Sequence, residues 1–150
     1  MTKLDTRFQR AEDSVGFLLW KAANLMQRLH GACLRDLDIT PTQFSLMTSL
    51  VYLQSDGDVT ASAIVAHTGM DKMMVSDLLK TLIRKGRVVK TPNPDDARSS
   101  LVRATAAGKR VTNSAVRTIE AFDSQFFTRA GDVTALHEAL LALVDPDTLP

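Results

Sequence analysis

The 150-residue chain has one cysteine, one tryptophan, one tyrosine and only seven glycines. The lone Cys33 excludes an internal disulfide framework and fits a reducing compartment. Phosphate-cradling glycine loops, HExxH and paired-cysteine metal motifs are all missing, so no recognisable enzyme or cofactor signature is present. No apolar run, VGFLLW included, approaches the roughly 20 residues needed to cross a bilayer. The opening stretch MTKLDTRFQRAEDS mixes charges without an apolar core, a pattern expected of neither a signal peptide nor a membrane anchor. A cytoplasmic protein without a cofactor is the expectation.

Hydrophobic content of 45% and charged content of 23% are ordinary for a globular protein. A single domain over 1–150 is expected from the length. Charge of one sign is also lacking overall, at a net +1, yet its distribution is uneven. Residues 69 to 110 hold ten basic and four acidic groups, leaving that segment at +6 and the remainder at −5. A basic face presented to phosphates has this footprint. A solvated helix followed by a charged hairpin would look similar.

Apolar residues recur at helical spacing from Ser14 to about Arg35 (Val15, Leu18, Leu19, Ala22, Leu25, Met26 and Leu29 among them), which predicts one long helix. Phe17 and Trp20 broaden its stripe, so burial on more than one side is expected. TPTQF supplies Thr40 as N-cap, Pro41 at the first helical position and Gln43 to close a capping box, predicting a helix to about Leu53. Thr60 caps a short helix ending at Thr68-Gly69. The next helix carries Val75, Leu78, Leu79 and Leu82 on one face and stops at Gly86. Two helices about three residues apart make a helix-turn-helix candidate.

RVVKT and SLVRAT are the convincing strand patterns, and TPNPDDARSS lies between them. Pro92 and Pro94 disfavour helix there, so the runs read as a hairpin with a long tip. Thr105 then caps a long helix with Val111, Ala115, Ile119, Phe122 and Phe126 in register, and VTALHEALLALVD repeats the pattern after Gly131. The fold expected is mostly α with a small β-hairpin wing: a winged helix-turn-helix over 40–104, flanked by dimerisation helices over 14–38 and 105–145. The flanking stripes have no partner inside a winged helix, and a symmetric homodimer would bury both copies.

With these elements in order, the chain resembles the multiple antibiotic resistance regulator (MarR) family of winged-helix transcription factors. The resemblance spans nearly the whole chain. It is most specific in DKMMVSDLLKTLIRKGRVVK, similar to the family's recognition helix and first wing strand, and in NPDDARSSLVRATAAGKRV, similar to its wing and fifth-helix entry. The Asp-x-Arg-Ser pattern at the tip is Asp96, Arg98 and Ser99 in this chain. The resemblance implies that Arg98 enters the minor groove while Asp96 orients it, and that the other helix enters the major groove. Facing outward on that helix are Lys72, Met73, Ser76, Asp77 and Lys80, of types suited to phosphates or base edges. The chain departs from the family pattern at Asp77 and Ala97, where many members carry arginine. Asp77 either accepts from a cytosine amino group or tethers a neighbouring cation.

The resemblance further implies a crevice for a small apolar or aromatic effector, with Trp20, Asn24, Phe44, Met47 and Tyr52 as candidate lining; residues of these types are more often simply core. His30, Cys33 and Asp36 share one helical face, an arrangement that would suit zinc or peroxide sensing, although a structural zinc needs four ligands. His67 either meets a phosphate or packs beside the turn, and His137 has no visible partner. Two functions stay open: a sequence-specific regulator of double-stranded operator DNA, most simply a repressor released by an effector, or a winged-helix dimer that binds a protein or ligand without DNA.

Overall fold

The computed structural model describes residues 4–148, so the first three residues of the N-terminal stretch lie outside the described residues. The Ser14 hydroxyl accepts from the Phe17 N–H at 3.3 Å and opens α1 (Val15–Leu34). A 3-10 turn over Arg35–Leu37 follows and ends at Asp38, whose φ of 49° is left-handed. Thr40 and Gln43 then form the expected reciprocal capping box, with side-chain bonds of 3.2 and 3.3 Å, and Pro41 begins α2 (Pro41–Leu53).

Thr60 caps α3 (Ala61–Thr68), and Gly69 turns the chain with φ of 71° toward α4 (Lys72–Arg84). Asp71 caps α4 by accepting from the Met74 N–H at 2.8 Å. The sheet has three antiparallel strands in the order β1 (Val59–Thr60), β3 (Ser100–Ala104), β2 (Val88–Pro92). Sequence patterning predicted the β2–β3 hairpin but missed β1. Two residues are too short to show alternation, and Thr60 pairs with Leu101 while also capping α3. Thr105 caps α5 (Ala106–Phe126), and Asp132 caps α6 (Val133–Val144).

Leu46, Met47 and Leu50 of α2 lie at the centre of one apolar core with Leu34, Ile64, Val75, Leu82, Val88 and Ile119 around them. The stripe of α1 is another matter. Only His30 and Leu34 are buried in that helix, Trp20 is 70% exposed, and α6 buries no residue. Burial on more than one side is therefore not achieved within one chain, because the N-terminal half of the stripe has nothing to pack against. No helix among the described residues is long and apolar enough to cross a membrane.

The winged region is fastened to α5 at one crowded point. Gly86, with φ of 68°, lets the Gly86 and Arg87 N–H groups donate back to Ile83 and Leu82, each at 2.9 Å, closing α4 in a Schellman-type stop. The Thr105 N–H donates to the Arg87 carbonyl at 3.0 Å, and its hydroxyl donates to the Gly86 carbonyl at 2.8 Å. This brings the first turn of α5 so near that a Cβ on Gly108 would overlap the Arg87 carbonyl. In an open helix Gly→Ala stabilises by about 1 kcal/mol. Gly108→Ala is expected to do the reverse and cost roughly 1–3 kcal/mol through overpacking, read as a lower urea midpoint with unchanged slope.

Candidate nucleic-acid interface

Helix α4 shows two different surfaces. Val75, Leu79 and Leu82 are buried, with Leu78 half-buried beside them. The outermost stripe runs Met73, Asp77, Lys80 and Arg84 at steps of four, three and four, while Lys72 and Ser76 turn toward the wing. Between α4, the start of α3 and the wing strands lies a groove of about 310 Å³ lined by Lys72, Lys80, Lys90 and Arg98, several hydroxyls and no carboxylate. Like-signed charges around a low-dielectric concavity focus the field there, so an anion is attracted strongly. A larger cavity of about 600 Å³ behind the sheet mixes Asp56 and Asp58 with Arg103 and Lys109. Its opposed charges make it a poor phosphate site.

The wing tip is held by its own hydrogen bonds. Asn93 is the organiser that sequence reasoning missed. Its carbonyl oxygen accepts from the Asp95 N–H at 3.0 Å, and its amide donates to the Ser99 hydroxyl at 2.7 Å, bracing both sides of the loop. Asn before Pro with an acid two residues on is an Asx-turn signal that could have revealed it. The Asp96 carboxylate accepts from the Arg98 backbone N–H at 2.9 Å, and the Ser99 N–H donates to the Asp96 carbonyl at 3.0 Å. Asp96 therefore orients Arg98 through the backbone; among the described residues no ion pair engages the guanidinium, which stays exposed and available.

Of the ten basic groups counted along 69 to 110, several are spoken for. Lys80 donates to Asp77 at 3.0 Å, so in the free protein Asp77 tethers a neighbouring cation. Arg103 meets Asp58 at 3.4 Å. Lys85 and Arg87 point away from the groove altogether. Lys85 Nζ donates to the Asp38 carboxylate at 3.0 Å and to its carbonyl at 2.9 Å, while Arg87 donates to the carbonyls of Asp38 and Leu37 at 2.7 and 3.1 Å. These two tie the winged region to the corner between α1 and α2. Linear charge counting places them in the basic face; the fold removes them.

The candidate effector residues are not gathered into one cleft. Met47 is wholly buried in the core, and Phe44 is half-buried beside it. Tyr52 is exposed and stacks on His67, whose Nδ1 lies 3.0 Å from the Ser49 hydroxyl. Asn24 donates to the Trp20 carbonyl one turn back in α1, and the Trp20 ring is open to solvent. His30 does not join Cys33 and Asp36 at an ion. Its Nε2 lies 2.8 Å from Asp123 on α5 and its ring meets Phe122 edge-on. No three-residue metal cluster occurs among the described residues.

A helix-turn-helix followed by a cation-bearing wing in a three-stranded sheet defines a winged-helix DNA-binding protein. The MarR family model matches residues 39–100, and an uncharacterised helix-turn-helix transcriptional regulator, YdcH of Bacillus subtilis, is 35% identical over 126 residues, covering 83% of this chain and 86% of that one. The chain belongs to the MarR family, which comprises transcriptional regulators rather than enzymes. A crystal structure of a mutant Escherichia coli MarR complexed with operator DNA is similar at 28% identity and a TM-score of 0.76, over 88% of this chain and 94% of that one. CouR of Rhodococcus jostii bound to p-coumaroyl-CoA shares the fold at 23% identity and a TM-score of 0.79, over 95% and 100%.

The hydrogen bond from Lys85 and then its charge hold the Asp38 carboxyl below its ordinary value, with burial opposing them and the Arg87 charge adding a smaller lowering. Because the folded value is depressed, the stabilisation is complete above the unfolded value of about 3.9 and is lost as pH falls through the lower folded one. Asn tolerates the left-handed backbone at this position. Asp38→Asn is thus expected to lower the melting temperature at pH 7, with the difference from wild type shrinking once pH falls below about 4 and vanishing only below the depressed folded value, as thermal melts at a series of pH values would show.

Proposed function

We propose that this protein is a cytoplasmic, single-domain homodimeric repressor that binds a pseudo-palindromic double-stranded operator and leaves it when a small apolar or aromatic effector binds. The observation that carries the reading is the carboxylate-free groove between α4 and the wing, bordered by Lys72, Lys80, Lys90 and Arg98. Asp77 and Ala97 lower the charge of this face relative to the family pattern. Lys72, Lys90 and Arg98 still border it, with Lys80 shared with Asp77, which favours DNA over a DNA-free interaction dimer. In the bound state α4 lies in the major groove with Lys72, Met73, Ser76, Asp77 and Lys80 at its floor and edges, and Arg98 enters the adjacent minor groove. Asp96 and Ser99 keep the tip in shape for it.

Two such heads must sit about 34 Å apart to engage successive major grooves. The exposed apolar positions on α1 and α6, including Leu18, Leu19, Trp20, Leu141, Leu143 and Val144, supply the surface for pairing. In the dimer an effector would enter where these helices meet the winged region, drawing on Trp20, Asn24, Phe44 and the exposed Tyr52, with the buried Met47 behind them. It acts by changing the spacing of the two heads, so that its differential affinity for the two spacings sets the release.

Arg98→Ala and Lys72→Ala are each expected to weaken operator binding and reduce the slope of log affinity against log salt by about one, measured by titrating labelled upstream DNA at several salt concentrations. An unchanged affinity and slope in both variants would refute the groove as the DNA site. For the dimer, Leu141→Glu with Leu143→Glu should leave the winged core folded by circular dichroism yet halve the mass seen in sedimentation. A wild-type monomer at the same concentration would overturn the assembly.

A further inference from the structure

The outermost stripe of α4 offers few free groups to a base pair. Asp77 and Lys80 satisfy one another at 3.0 Å, and Arg84 donates to Thr81 at 3.1 Å. Met73, in the first turn and 76% exposed, is the large apolar side chain on this stripe. It carries no charge for phosphates and contributes nothing to the core. A single exposed methionine is ordinary on a protein surface, but on a face turned to base edges it gains when an apolar group meets it there.

On major-groove base edges the one methyl group is the 5-methyl of thymine; the other bases present chiefly hydrogen-bond donors and acceptors. Methionine suits the contact because its unbranched thioether chain adapts to the methyl without demanding a fixed geometry. Resting on the DNA-binding reading above, we propose that Met73 is a specificity-determining residue that selects thymine in each operator half-site through its 5-methyl group. The neighbouring Asp77–Lys80 pair supports this choice: while it stays closed, neither member competes for the same base edge.

The test removes only the methyl. An operator is selected from random duplex DNA with the wild-type protein, and each thymine is then replaced in turn by deoxyuridine, which keeps the pairing and the O4 acceptor. One symmetry-related pair of positions should lose about fourfold in affinity per half-site, the factor for burying one methyl-sized group. Met73→Ala should bind thymine and deoxyuridine operators equally, and Met73→Leu should keep part of the discrimination. Since Met73 is exposed, neither substitution threatens the fold. Undiminished discrimination in Met73→Ala, or no thymine sensitive to the replacement, overturns the assignment while leaving DNA binding intact. Failure of the wild type to select any duplex overturns the DNA reading and this inference with it.

Discussion

Arg87 is where the parts of this molecule are joined. Its N–H closes the end of α4 on Leu82, and its carbonyl receives the Thr105 N–H and sits against Gly108. Its side chain is only 12% exposed, and the guanidinium grips the carbonyls of Leu37 and Asp38 and lies 3.5 Å from the Asp38 carboxylate. One residue thus links the recognition helix, the wing, the long α5 and the α1–α2 corner. A buried cation is tolerable only with its donors satisfied, and the left-handed turn at Asp38 presents the acceptors that satisfy it. In the regulator proposed above, a change in the helices outside the winged region would reach α4 and the wing through this joint.

That joint also decides which charges are left for an anionic partner. Lys85 and Arg87 are consumed in holding the winged region, Arg103 is paired with Asp58, and Lys80 is shared with Asp77. What remains around the groove is fewer cations than the linear count, but they are arranged on one side with no acid among them. The wing contributes through its backbone: Asp96 and Asn93 direct their polar atoms to the loop itself, so Arg98 is projected with no ion-pair partner among the described residues. Desolvating a free guanidinium against phosphate costs less than first separating it from a carboxylate.

The exposed stripes of α1 and α6 answer to a different constraint. Within the chain α1 is anchored to α5 near its C-terminal half, through His30 with Asp123 and Phe122, while its N-terminal half presents Val15, Leu18, Leu19 and Trp20 to solvent. Helices of this length and apolarity are stabilised mainly by burying a face, and one chain does not supply the matching surface. In the proposed homodimer these stripes would form the interface that sets the spacing of the two winged heads.

Local chemistry was legible from the chain alone. Ser14 ahead of VGFLLW, the Thr40–Gln43 box, Thr60, Gly69, Gly86 and Thr105 each act within a few residues, so the helix boundaries, the turn and the β2–β3 hairpin could be read directly. So could the outward set on α4, because a helix repeats every 3.6 residues whatever surrounds it. Only the tertiary structure decided what depends on contacts between distant residues: the two-residue β1, the use of Lys85 and Arg87 as braces on Asp38, the service of Asp96 to the Arg98 backbone, and the engagement of His30 by Asp123. A charge counted along a chain has no direction; its partner is fixed by which segments fold against each other, up to 93 residues apart for His30.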